Sequence, residues 1–276
     1  MIEQAILLTA FIYLLITSIL DIKYRLVWDY INYSFGFIFL LLRIMEQMTT
    51  FNPETIITIS GSFFATASIG YLLYRIGAWG GGDLKLLSAL SIGLSGLASD
   101  NISIYALSFP FYANFLLNTL VSGTVFGIIW SLICAVKTKA YKDFKKIHWA
   151  IVSAAVILVA FAIFSPIQKA AFFSLISIFC FYYIIKKFED KITIIEKEVK
   201  KLDEGDWIIK DMKVKNQLIK KKPTGITKTD IKILQSSNLK KIKIKDGVPF
   251  LVSFFLAFIM TLILENNVIA MIALGI

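Results

Sequence analysis

Asp83 stands in Gly77-Ala78-Trp79-Gly80-Gly81-Gly82-Asp83-Leu84-Lys85, between two apolar runs, and Asp21 closes the first apolar run of the chain. A carboxylate at the end of a membrane helix is costly unless it faces a wet cavity or a partner, so each acid is a candidate for chemistry. Glycines 80 to 82 take every side chain away from the neighbourhood of Asp83 and let another backbone approach. Two carboxyl groups brought together can do general acid–base work, one taking a proton from water and the other giving one to a carbonyl or leaving group. Their like charges oppose double ionisation, so such a pair shares one proton. Asp83 opens a helix beside Lys85, where negative charge is favoured, whereas Asp21 ends one, where it is disfavoured. The sequence therefore predicts Asp83 as base and Asp21 as acid, with Lys23 and Arg25 opposing that bias. The plainer account is that Asp83 only caps the helix after a glycine-rich turn.

The elements that must position these acids are read from hydropathy. The 276 residues are 57% hydrophobic, more than one soluble core needs, and the excess comes in long runs. Spans are expected at 4–20, 30–47, 55–75, 84–99, 111–136, 149–165, 168–186 and 248–273. That pattern predicts an all-α, polytopic transmembrane helix bundle of about eight helices with a small cytoplasmic soluble segment. The units expected are a catalytic transmembrane core (1–136), a basic loop with an apolar hairpin (137–187), a polar cytoplasmic segment (188–246) and a C-terminal membrane helix (247–276). Met1-Ile2-Glu3-Gln4 offers no basic n-region, so the first run reads as a retained helix.

The formal charge is +10, but its distribution points to a lipid bilayer and not to nucleic acid. All but Arg43 and Lys169 of the 29 Lys and Arg residues fall in segments that this topology puts on one side. The positive-inside rule then places those segments in the cytoplasm and both termini outside. Asp21 and Asp83 share the cytoplasmic interface of a cell membrane under this topology. Cys134 and Cys180 have no paired spacing, and His148 is the sole histidine, so neither a metal nor any other cofactor is expected.

The motifs around both acids resemble those of the type IV prepilin and preflagellin peptidases, membrane aspartyl proteases of the GxGD type. Asp21 with Arg25 matches the first motif; Gly80, Gly82, Asp83 and Lys85 match the second. The resemblance covers roughly the first hundred residues. It implies catalytic Asp21 and Asp83, and pilin-like or flagellin-like precursors with a short basic leader as substrates. Gly80, Gly81 and Gly82 would receive the extended scissile segment, with Lys85 and Arg25 in support, and Asp29 is placed to hold a leader Lys or Arg. Many bacterial members carry a four-cysteine zinc domain and an N-methyltransferase activity. This sequence lacks that signature and is similar to the compact archaeal branch, which only cleaves.

Other features carry smaller expectations. Tyr24, Trp28 and Tyr30 suit an interfacial belt, small residues from Gly61 to Gly70 suit close helix packing, and Asn114, Asn118, Ser122 and Gly123 form a polar stripe. Thr227-Lys-Thr-Asp230 reads as a capping-box variant, and the Lys runs at 220–222 and 240–245 as solvated or lipid-facing. Two rival readings remain at this level: a presenilin or signal-peptide-peptidase relative, although no Pro-Ala-Leu motif lies near the last helix, and a cation or proton transporter using the same acids.

Overall fold

In the computed structural model the described residues are 1–77, 79–97, 110–139, 142, 145–163, 183, 186, 193–214, 217–237, 239–245 and 247–264. The span expected at 168–186 lies outside them but for two isolated positions, as do Cys180 and the tail of the last span. The helices are α1 (Ile2–Tyr24), α2 (Asp29–Thr49), α3 (Pro53–Arg75), α4 (Gly81–Leu94), α5 (Phe111–Lys137), α6 (Lys146–Ile163), α7 (Lys228–Gln235) and α8 (Leu251–Leu264). Among the described residues, α1, α3 and α5 are long and apolar enough to cross a membrane. The expectation of eight such spans is therefore met only in part. The 14 residues of α4 rise about 21 Å, short of a ~30 Å hydrocarbon layer.

Buried side chains of α1, α2, α4, α5 and α8 form one core, including Tyr13, Phe39, Leu86, Leu90, Phe115, Phe254 and Phe258. Two glycines lie at close helix approaches, Gly70 among the small residues singled out in the sequence and Gly93 beyond them: a Cβ on Gly93 would overlap the Phe39 ring, and one on Gly70 would stand 2.7 Å from the Leu84 side chain. Gly61 faces open space. The polar stripe of α5 bonds across to α8, with Asn118 donating to Thr261 at 3.0 Å and Ser122 to the Ser253 carbonyl at 2.8 Å. A buried polar group in lipid needs such a partner.

Arg43, on α2 and 3% exposed, clamps the far end of α4. Its guanidinium donates to the carbonyls of Ile92, Gly93 and Ser95 and to Glu46. Those carbonyls have no intrahelical donor, and a cation there also complements the helix dipole.

The polar segment is not helical throughout, which corrects the all-α expectation. It holds β1 (Ile194–Glu198), β2 (Trp207–Ile208), β3 (Met212–Val214), β4 (Gln217–Ile219) and β5 (Lys241–Lys245). Antiparallel β1, β5 and β2 make one sheet, with β5 central, and β3 pairs with β4. The reason is visible in Lys241-Ile-Lys-Ile-Lys245: residues of a strand alternate faces, so Ile242 and Ile244 are buried while Lys241 and Lys243 are exposed. Ile208, Ile219, Leu234, Ile242 and Ile244 belong to a second core.

The capping box of α7 forms as the sequence predicts: Thr227 accepts from the Asp230 N–H, and Asp230 accepts from the Thr227 N–H at 2.9 Å. Burial alone would raise the Asp230 pKa. The Thr227 N–H and hydroxyl together with Lys222 outweigh it and hold the carboxyl below its ordinary value.

Two outcomes follow from this packing. Arg43→Ala should lower the stability of the detergent-solubilised protein by on the order of 2–4 kcal/mol, read by thermal unfolding, because it orphans buried carbonyls and leaves Glu46 without its cation. The depressed Asp230 pKa adds stability to α7 above the ordinary carboxylate pKa, and that stability is lost as pH falls through the folded-state value. Hydrogen exchange of the α7 amides, corrected for intrinsic rates, should show the acid-induced loosening in the wild type and a flatter pH response in Asp230→Asn.

Candidate active site

α1 stops because Arg25 adopts a left-handed conformation (φ 56°), its N–H closing on the Asp21 carbonyl at 3.1 Å. Asp21 therefore lies on the last turn, and the Arg25 guanidinium lies over the Trp130 ring at 4.8 Å. The chain leaves α3 through Gly77 (φ 74°), where a Cβ would stand 2.8 Å from the Pro223 carbonyl oxygen. Glycine is required there on both counts. Trp79 then packs its ring against Phe250 and Phe254 of the α8 region, and α4 begins at Gly81.

Asp83 sits on the first turn of α4, and its Oδ2 accepts the Gly80 N–H at 2.9 Å. The plain capping account holds in altered form: Gly80 is the N-cap, and Asp83, the third residue of the helix, reaches back to it with one carboxylate oxygen. Asp21 is bonded across the fold: its Oδ2 accepts the N–H of Leu251, the first residue of α8, at 3.0 Å. Both acids line one cavity of about 480 Å³, and the charge of Asp21 is felt at Asp83. Residues 62 positions apart in sequence are thereby brought together.

Arg25, Gly80, Gly81 and Gly82 line the same cavity. None of these three glycines has a positive φ. Neither would a Cβ on them come nearer than 3.5 Å to a neighbour, and on Gly82 it would meet nothing within 4 Å. The fold itself does not demand glycine here; the absent side chains leave room in the cavity.

Lys85 and Asp29 are not among the lining residues. The Lys85 ammonium donates to Asp29 at 2.6 Å, the two side chains being 33% and 60% exposed. Such an exposed pair contributes only about 0–1 kcal/mol. Its effect on the site is to direct the Lys85 charge to α2 and to occupy the acid expected to meet a basic leader.

The opposite wall was not assigned to the site from sequence. It comes from the turn Asp203-Glu204-Gly205-Asp206 with Trp207, and from Lys245, Gly247, Val248, Phe250 and Leu251. The turn is braced from within: Asp206 accepts the Asp203 N–H at 2.9 Å, Lys197 bonds both Asp203 and Asp206, and Gly205 and Asp206 exchange backbone bonds with Ile226. Burial would lower the Lys197 pKa, but the bonds to Asp206 and Asp203 raise it, so the ammonium stays charged. The run of acids and glycine after Leu202 was the available signal, but nothing local says which cavity such a turn faces. Trp79 and the α8 start carried no chemical signature at all.

Among the described residues no group of three or more His, Cys, Asp or Glu side chains is disposed to hold a metal ion. The arrangement can hold two interacting carboxyl groups beside open backbone in a space large enough for an extended peptide segment. No curated protein and no solved structure matches the chain. Residues 8–132, which run from α1 into α5 and include both acids and the glycine loop, match the model of the type IV leader peptidase family.

Proposed function

We propose that the protein is a membrane aspartyl endopeptidase that removes the short basic leader of type IV prepilin-like or preflagellin-like precursors at the cytoplasmic membrane face. The observation that carries this reading is the single cavity containing Asp21, Asp83 and the side-chain-free backbone of Gly80 to Gly82. One carboxylate takes a proton from water, whose oxygen attacks the scissile carbonyl, while the other carboxyl group supplies the proton that the carbonyl oxygen needs. The glycines accept the extended segment by backbone hydrogen bonding. The acidic turn at 203–206 across the cavity suits a leader rich in Lys and Arg, and takes over the part that Asp29, paired with Lys85, is less free to play.

The substrate's own architecture fits the same place. A basic leader followed by an apolar helix presents its junction at the cytoplasmic interface, where positive-inside reasoning puts both acids, in a multi-pass protein of the cell membrane with its termini outside. Cleavage without N-methylation is expected, so the new N-terminus should leave as a free amine.

Coexpression with a tagged pilin-like precursor tests the proposal by mass. The precursor should shorten by its leader, with no added methyl mass. Asp21→Asn and Asp83→Asn should each reduce kcat/KM by about 10³-fold or more with the fold retained; cleavage surviving both substitutions would refute the dyad. Gly82→Ala separates fold from function: the thermal midpoint should hold or rise, since alanine is the better helix former, while kcat/KM falls about tenfold or more. Undiminished cleavage by that variant would show that no substrate backbone lies against the loop.

A further inference from the structure

The segment matched to the family ends at residue 132, yet the backbone donor that Asp21 meets belongs to residue 251. Leu251 is 3% exposed. Its N–H bonds Asp21 Oδ2, and its own carbonyl accepts the Ser18 hydroxyl at 3.1 Å. From the other side Ser122 holds the Ser253 carbonyl, and Asn118 holds Thr261. The first turn of α8 is thus pinned to α1 and α5 in one register, with its N-terminus against the Asp21 carboxylate.

This placement offsets the bias read from sequence, since Asp21 now has a helix-start donor as Asp83 has in Gly80. Asp21 ends its own helix but lies at the beginning of another, where free N–H groups and the helix dipole favour negative charge. Lys85, expected to favour an ionised Asp83, is bound to Asp29 instead. The charged groups that share the cavity with Asp21 are Asp83 from α4, Arg25 from α1 itself, and Asp203, Glu204, Asp206 and Lys245 from the sheet segment.

We propose that the start of α8 is part of the catalytic centre: the Leu251 N–H holds Asp21 ionised, so that Asp21 is the base and Asp83 the acid. This allocation rests on the leader-peptidase reading. Asp21 takes one proton from water while the water oxygen bonds to the scissile carbonyl carbon. The carbonyl π electrons move to its oxygen, which receives the Asp83 proton. The resulting diol then collapses: the C–N bond breaks, the leaving nitrogen takes the proton from Asp21, and a diol hydroxyl returns one to Asp83. Both side chains end as they began. Leu251 is a positioning residue acting through its backbone.

Proline at the first position of a helix removes the N–H and leaves the helix intact, so Leu251→Pro deletes the bond, and Leu251→Ala controls for the lost side chain. The measurement is the pH dependence of kcat/KM for the full-length protein in lipid nanodiscs, cleaving a synthetic precursor with a basic leader and an apolar segment. The acid limb reports the first deprotonation of the pair. Relative to Leu251→Ala, it should move up by about one pH unit in Leu251→Pro, because the anion has lost a donor. An acid limb identical in the two variants overturns the proposal. If the proline variant does not fold, Leu251→leucic acid, which exchanges the N–H for an ester oxygen and keeps the side chain, carries the comparison against wild type with the same two outcomes. A wild-type chain that cleaves no precursor overturns the peptidase reading itself, whereas a cleaving wild type with an unmoved limb overturns only this allocation.

Discussion

The grip of Arg43 on the end of α4 is the constraint on which the site depends. A helix of 14 residues cannot place itself by length in a bilayer, since it reaches neither interface when the other is fixed. Its position must come from neighbours. Arg43 supplies one fixed point by satisfying the carbonyls of Ile92, Gly93 and Ser95. The absence of side chains at Gly93 and Gly70 lets α2 and α3 close on it, and the depth and rotation of Asp83 follow. A charge buried to this extent is tolerated because each of its three nitrogens finds an oxygen.

At the other end of α4 the balance is electrostatic. The helix start favours negative charge, and the reach of Asp83 back to Gly80 uses that preference. Lys85, one turn inside, would be the natural counter-ion, but the structure gives it to Asp29. The two carboxyl groups share the cavity with Arg25 and Lys245, and their like charges oppose double ionisation. The membrane helices supply the acids, while the sheet segment and the start of α8 supply the wall that faces them.

Much of this was legible in the sequence. Helix positions α1 to α6 follow from long apolar runs, because a run of that length has few other physical solutions. The acids stood out because charge at a helix end in lipid demands a reason. The α7 capping box was readable from Thr227 and Asp230 alone. What escaped was non-local or lacked a side-chain signature. The pairing of Lys85 with Asp29 joins residues 56 positions apart, and charge patterning does not specify partners at that range. The Leu251 donor is a backbone N–H, which every residue but proline possesses. The strand β5 was legible in principle, since Ile242 and Ile244 alternate with lysines, but the density of charge masked the period of two.

The distance along the chain between Asp21 and its α8 donor bears on how such a protein is made. Synthesis proceeds from the N-terminus, so both acids leave the ribosome well before residue 251 does. A nascent chain that has made α1 to α5 already carries both acids, yet lacks the backbone N–H that bonds Asp21 and much of the wall that encloses both. The cavity around both acids is thus complete only once the last described helix has been made and packed against α1 and α5.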